Sequence, residues 1–577
     1  MTSNILSLGE DIIMRHLLPQ LDYDDIVQLS KVPNHDLHQM LQSSYFYQVL
    51  FQKQFGDDSA TPWLSSTANW HELYKLRLSS HLYTWGDNER GRLGHTRQDL
   101  QAPRFGRFYV STPTEVKSFL SGDITDSHDI TMVDVCAGGF TFHVLTGENN
   151  IFTIGYQLEK DPGTYPREPD YNPLIEFYRR QENRIPRFGG HYVRRGPVNI
   201  RSFPPQSSEP HDTNPWGQIP ANEFYSPAAL AEIELMKSKK PTIKLCELPR
   251  TPKTKNTKII GISSGRTQFI ALDNRNQIWT WDTGDQEFGI RLKFINPTTK
   301  KSIIKDSNIN RITKISAGWG ISSCFVFGVG IVLWNTRDPI KKEDSPDIAL
   351  NANYRVISGT GETHNDRQVV DYFIGDGFLL YITSTGKLYR MDISPEMFDS
   401  TIQPQPFEVL SFNEHLSKTT LKSGTGCRFV KISGTFCNFA VFTNDDQVLI
   451  GDRDSINYDQ FDFENRTCST KSKPQILPEL QYQKCINISM GDYHFMALFK
   501  DGSMASWGLE SQSCGSLGLG NCEEINEKFG PNTAVMEGNW RDMRVTKPQR
   551  ISLPNNKVAL AIAASGWHSS AIIATKK

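Results

Sequence analysis

The stretch CINISMGDYHFMALFKDGSMASWG, residues 485–508, sets the reading of this chain. Apolar and polar residues alternate up to Gly491. A second apolar run follows, then a turn at Asp501-Gly502, then a third run ending on Trp507-Gly508. Period-two alternation bounded by turn formers predicts short β-strands. The same phrase recurs at 133–155, 259–282, 312–335, 369–392 and 429–452. Its anchors are Gly138, Gly265, Gly318, Gly375, Gly434 and Gly491. Sixteen residues after them stand Ile154, Trp281, Trp334, Met391, Ile450 and Trp507, all large and apolar. The next position holds Gly155, Asp282, Asn335, Asp392, Gly451 or Gly508, all turn formers. Six copies in one phase predict a repeat architecture in place of several unrelated domains.

The chain ends supply a seventh copy. VALAIAASGWHSSAIIATKK, 558–577, matches the first half of the phrase with Ser565 at the anchor. The missing second half stands alone at 82–94 as LYTWGDNERGRLG, with Trp85 in the tryptophan position. A unit split between the two ends is how a ring of sheets closes without open edges. Segments 112–120, 405–412, 473–480 and 547–554 read as a weaker fourth strand. The expectation is a mainly β fold: a seven-bladed propeller of four-stranded blades over 81–577, closed by pairing of N- and C-terminal strands. The tryptophans fill space between sheets, and each indole N–H needs a partner.

These phrases resemble the regulator of chromosome condensation type of repeat. Gly491-Asp-Tyr-His494-Phe-Met-Ala-Leu and Tyr83-Thr-Trp85-Gly-Asp-Asn-Glu-Arg-Gly91-Arg-Leu-Gly94 carry the likeness, and GSLGLG at 515–520 repeats its last part. Residues 158–258 interrupt the pattern, since Gly138 and Gly265 are too far apart for one repeat. The insertion holds 17 Lys+Arg against 12 Asp+Glu. Its Arg179, Arg180, Arg184, Arg187, Arg194, Arg195 and Arg201 are candidates for contacting a target, because long loops on rigid scaffolds often carry recognition. Ser226-Pro227 there opens a capped helix.

The first eighty residues have helical texture. Apolar positions cluster as Ile12, Ile13, Leu17, Leu18 and Leu21, then Ile26, Val27, Leu29 and Val32, with acids opening each segment and Pro19 and Pro33 closing them. About fifty residues in short helices bury little surface alone, so such a unit often shares its apolar face. The stretch from Leu8 to Val32 resembles an F-box, with Gly9 where that family has proline and Val32-Pro33-Asn34 where it has Val-Cys-Arg. The resemblance covers about residues 5–51. The expected domains are a helical F-box-like unit at 1–55, a linker-helix region at 56–80 and the propeller. The resemblance implies a surface for a Skp-type adaptor made of Leu8, Glu10, Ile12, Ile13, Leu17, Leu18, Leu21, Ile26, Leu29 and Val32.

Composition narrows the function classes. Lys+Arg 62 against Asp+Glu 64 gives a net charge of -2, so no overall field holds nucleic acid or an anionic membrane. No run of about 18 apolar residues predicts a membrane span, and the opening residues lack a signal-peptide pattern. Nine cysteines without a C-x-x-C pattern argue against a disulfide framework or structural zinc, and for a reduced, intracellular setting, cytoplasmic or nuclear. His494 and His568 share a repeat slot that elsewhere holds Thr141, Gln268, Ile321, Phe378 or Cys437. A slot so variable is no metal shell. Ser322-Ser323-Cys324 and Ser569-Ser570 lack a His/Asp context for a nucleophile. GSLGLG lacks the strand-to-helix setting of a phosphate loop.

No catalytic residue, metal or cofactor is therefore expected. The two resemblances together imply a non-catalytic substrate receptor of an SCF-type (Skp–cullin–F-box) ubiquitin ligase. Its helices would bind the adaptor and through it a cullin, and its propeller a target protein. The propeller resemblance alone would suggest nucleotide exchange on a Ran-type GTPase, or a scaffold without a ligase.

Overall fold

The computed structural model describes residues 9–55, 69–155, 244–246 and 257–576, apart from 22, 89–90, 96, 98–99, 101–107, 118–129, 267, 282–288, 305–309, 336–348, 365, 399–404, 419–425, 457, 463–466, 471–472, 511–512 and 538–541. Seven sheets form the propeller. Each begins with an inner strand: Met132–Ala137, Ile259–Ser264, Ile312–Ala317, Val369–Ile374, Phe429–Thr435, Cys485–Met490 and Lys557–Ser565, here blades 1 to 7 in order. A second and a third strand follow antiparallel, as the phrase requires.

Blade 7 is the closing blade. Ser80–Asp87 pairs antiparallel with His568–Thr575 on one side and with Tyr109–Glu115 on the other. The chain's first strand is thus held between strands on both sides, which removes an open edge. Trp85 is fully buried at this seam, and its indole N–H donates to the Ser516 carbonyl at 3.1 Å. The residue that seats it is Gly518, with φ +67°, where a Cβ would lie 2.6 Å from the indole nitrogen. GSLGLG is therefore the cradle of a structural tryptophan. Trp281, Trp334 and Trp507 are buried likewise.

The anchor glycines meet the neighbouring blade. A Cβ on Gly265 would lie 2.4 Å from the Gly318 carbonyl oxygen, one on Gly318 2.8 Å from that of Gly375, and one on Gly491 2.8 Å from that of Gly566. Backbone contact that close excludes any side chain. Ser565 keeps the anchor's burial but carries a hydroxyl.

The weaker fourth strand varies more than the sequence suggests. In 405–412 only Phe407–Val409 is strand, and the chain then turns into helix α6, Leu410–Lys418. In 473–480 one bridge, Ile450 to Gln475, replaces a strand, and Pro478–Leu480 is a 3-10 turn. Prolines remove the amide donors a ladder needs. Blade 1 takes its fourth strand, Lys244–Cys246, from inside the stretch read as insertion. Blades 2, 4 and 6 carry extra strands. The extra strand of blade 6, Ala534–Glu537, follows helix α7, Cys522–Phe529, which an Asn521–Glu524 capping box opens.

Among the described residues the N-terminal unit has five α-helices. α1, Glu10–Ile12, runs on into a π-turn Ile13–Leu17 and a 3-10 turn Leu18–Gln20 that contains Pro19. Then come α2 (Tyr23–Leu29), α3 (His35–Gln42), α4 (Ser44–Phe55) and α5 (Trp70–Leu78). Asn34 and Asn69 cap α3 and α5 by accepting from backbone amides in the first turn. α5 lies in the expected linker region and ends two residues before the first propeller strand.

The helical unit and the propeller share one core. Ile13, Leu18, Ile26, Phe46, Phe51, Phe55 and Tyr74 belong to the same buried cluster as Val133, Leu145, Ile259, Phe269 and Trp281. Polar contacts add to it. Buried Arg77 donates from Nη1 to the Val133 carbonyl at 2.9 Å, and Ser80 Oγ reaches the Arg77 and Met132 carbonyls. Lys258 Nζ bonds the Lys53 and Gln54 carbonyls at the end of α4, where a cation opposes the helix dipole.

Candidate functional sites

The helices divide the expected adaptor-binding residues into an inner and an outer set. Ile13 (1% exposed), Leu18 (6%) and Ile26 (2%) fill the unit's own core, so they are not available to a partner. Ile12 (48%), Leu17 (39%) and Val32 (43%) are exposed, as is Glu10. Leu21 and Leu29 are half-buried against the core. Leu8 lies outside the described residues. The split follows from helical geometry: neighbours in sequence such as Ile12 and Ile13 point in different directions, so one goes in and the other out. Three large apolar side chains of the expected surface are thus left in water. Asp11 and Arg15, paired at 3.2 Å, stand among them.

All of the arginine candidates, Arg179, Arg180, Arg184, Arg187, Arg194, Arg195 and Arg201, lie outside the described residues, as does the helix expected from Ser226.

A second constellation surrounds the propeller channel where the inner strands end. Immediately after the anchors, five phrases carry an aromatic: Phe140, Trp319, Phe436, Tyr493 and Trp567. Blades 2 and 4 carry Arg266 and Asp376 instead. The Arg266 guanidinium lies over the Trp319 ring at 4.4 Å and the Phe140 ring at 5.3 Å. Arg92 covers Phe140 at 4.7 Å, and Trp319 meets Phe436 edge-on at 5.1 Å. Arg453 pairs with Asp376 at 2.7 Å. Crowding raises the Asp492 carboxyl despite its exposed tip, while Arg266 and Arg92 pull it back down. Trp319 is 39% and Tyr493 45% exposed. The sequence reading missed this crown. Its signal was visible as aromatics one or two places after the anchors.

Within the channel, every inner strand is bulged against its neighbour about five residues before the anchor, for example between Met132 and Asp134, Val369 and Asp371, and Cys485 and Asn487. A bulge re-aims the side chain that follows it. The girdle so made includes Asp134, Lys314, Asp371, Lys431 and Asn487. Lys314 pairs with Asp371 at 2.6 Å and Asp371 accepts from the Ile432 amide, stitching blades 3, 4 and 5. Lys431 donates to the Ile486 carbonyl and to Asn487 Oδ1. A space of about 290 Å³ lies among these strands. Hydroxyls and backbone line much of it; Ser264 Oγ on its wall meets His143 Nδ1 at 3.1 Å, and burial holds that imidazole down to about 3, far below the range of a working general base.

His494 and His568 stand at blade seams. His494 Nε2 meets Ser569 Oγ at 2.7 Å and His568 Nε2 meets the Thr141 carbonyl at 3.4 Å. In blade 2 the same slot holds Gln268, which donates to the Gly318 carbonyl at 3.3 Å. Burial pushes His494 down to about 3 and His568 well below the usual imidazole value. Both are neutral seam fasteners. Among the described residues no group of three His, Cys, Asp or Glu could hold a metal ion. No helix among them is long and apolar enough to cross a membrane.

Comparison with known proteins matches residues 79–142 to the regulator of chromosome condensation (RCC1) repeat. Over 99% of this chain and 98% of the relative, the sequence is 26% identical to SCF-associated factor 1 of Saccharomyces cerevisiae. It is 22% identical to F-box protein pof9 of Schizosaccharomyces pombe over 54% of this chain and 58% of that one. Among solved structures, Prp20p of S. cerevisiae is 13% identical, covering 89% of this chain and 96% of its own, with a TM-score of 0.46. The chain is thus similar along its whole length to SCF-associated factor 1 and over about half its length to an F-box protein, and it carries an RCC1-type repeat.

Proposed function

We propose that this chain, similar to F-box proteins with RCC1-type repeats, is the substrate-receptor subunit of an SCF-type ubiquitin ligase. The observation that carries the reading is the full-length likeness to SCF-associated factor 1. The exposed Ile12 and Leu17, whose neighbours Ile13 and Leu18 are buried, and the exposed Val32 beyond α2 support it. In this reading those side chains, with Glu10, meet a Skp-type adaptor that links the chain to a cullin. Each apolar side chain buried in that contact contributes roughly 1.5–3 kcal/mol before association costs. The shared core then holds the propeller at a fixed distance from the ligase. The aromatic crown offers a target protein the residue types that dominate protein interfaces. The receptor does no chemistry itself: it raises the effective concentration of target lysines near the conjugating enzyme.

Co-purification with a Skp-type adaptor tests the reading. Ile12→Asp with Leu17→Asp places two charges in the contact, which no longer forms, while thermal melting of the chain is unchanged because both sites are exposed. An adaptor that never binds the wild-type chain, or that binds the variant equally well, overturns it.

A further inference from the structure

At the end of the channel facing the helices lies a cavity of about 440 Å³. One wall is the end of α4 and the other the inner strands of several blades. Lys53, Arg77, Lys258, Arg311 and Lys431 line it, against a single carboxylate, Asp134. Ordinary protein surfaces intersperse the two signs, so an excess of this size in one concavity focuses a positive field.

The partners of these cations make the excess real. Among the described residues, Lys53, Lys258, Arg311 and Lys431 form no ion pair with a carboxylate. Lys53 donates to the Pro19 carbonyl, Lys258 to two α4 carbonyls, and Lys431 to the Ile486 carbonyl and Asn487. Asp371 acts on Lys431 electrostatically, but its own close partner is Lys314. Neutral carbonyls orient the ammonium groups and leave their charge uncancelled.

We propose that this cavity binds a small molecule carrying several phosphate groups, held between the helical unit and the propeller. The size suits such a molecule: ligand pockets span roughly 300–1,000 Å³, far more than a lone phosphate fills. Arginine and lysine supply the fork and point-charge donors that phosphates take. Burial already pushes Lys258 and Lys431 down to about 8, Lys258 further by its neighbour Lys53. A polyanion there removes that penalty. With Lys53 on α4, Arg77 on α5 and Lys431 on blade 5, it also crosslinks the two parts of the shared core.

Titration calorimetry and thermal melting of the full chain test this, with pyrophosphate and inositol hexakisphosphate as probes and sodium sulfate at matched ionic strength as control. Inositol hexakisphosphate is expected to bind at least about tenfold tighter than sulfate and to raise the melting temperature. Arg311→Glu, at an exposed position, is expected to weaken it by about tenfold or more while the unliganded melt stays unchanged. Lys431→Met is the second variant, with the same expected loss. Equal responses to sulfate and hexakisphosphate, or full affinity in Arg311→Glu, overturn the proposal. So does binding of polyglutamate in place of the phosphates. Ile12 and Leu17 do not line the cavity, so adaptor capture is decided separately.

Discussion

The two ends of the propeller channel are built from the same seven strands and serve opposite ends. Where the inner strands begin, Phe55, Arg77 and Lys258 join the helices to blades 1 and 2, and large apolar groups are covered. Where they end, Trp319 and Tyr493 stand in water around Arg266. Position in the repeat explains the difference. Residues before the bulge belong to a packed sheet, whereas residues after the anchor sit on a turn, where packing constrains them least. One end therefore carries stability and the other is free to carry recognition.

Substitutions at the two ends test that contrast. Phe55→Ala is expected to cost the most, about 3–5 kcal/mol, because it removes a buried ring from the core between helices and sheet. Thermal melting reads the loss, and hydrogen exchange locates it in α4 and α5. A change under 1 kcal/mol would mean the two parts do not support one another.

A pH effect comes next. His143 and His494 are held down to about 3 by burial, against about 6.5 in an unfolded chain. Between those values the unfolded state takes up protons that the folded state refuses. Their stabilisation is complete above pH 6.5 and declines as pH falls toward 3. The melting temperature is expected to drop from pH 7 to pH 5. His494→Gln, which copies the Gln268 seam, is expected to flatten the drop. An unchanged slope would show that His494 does not titrate on unfolding.

Lys258→Met is expected to cost about 1–2 kcal/mol by leaving the α4 carbonyls without their cation. Urea unfolding at neutral pH measures it. The smallest effect on stability is expected for Trp319→Ala, about 0.5–1 kcal/mol, since its ring is partly exposed and loses only its contacts with Arg266 and Phe436. If the crown binds the target, the same variant weakens capture by about tenfold or more. A large stability loss with unchanged capture would assign Trp319 to scaffold and move recognition elsewhere.

The sequence by itself determined the seven-fold ring and its closure. Anchor glycine and tryptophan-like residue recur at fixed separation because each blade must meet the next at one backbone height. It also determined that the N-terminal part carries short helices, found within 10–55 and at 70–78 among the described residues, because apolar spacing and helix-ending prolines are local features. Tertiary structure alone decided which helical residues face out. Ile12 and Ile13 are chemically alike, and only packing of the Ile13–Leu17 turn against α4 makes one core and the other surface. It alone decided that the helices share the propeller's core, since Phe55 and Gly147 are far apart in sequence and meet only once the chain has folded. The cationic cavity is of the same kind. Lys53, Lys258 and Lys431 come from separate elements, and no spacing along the chain records that folding brings like charges together.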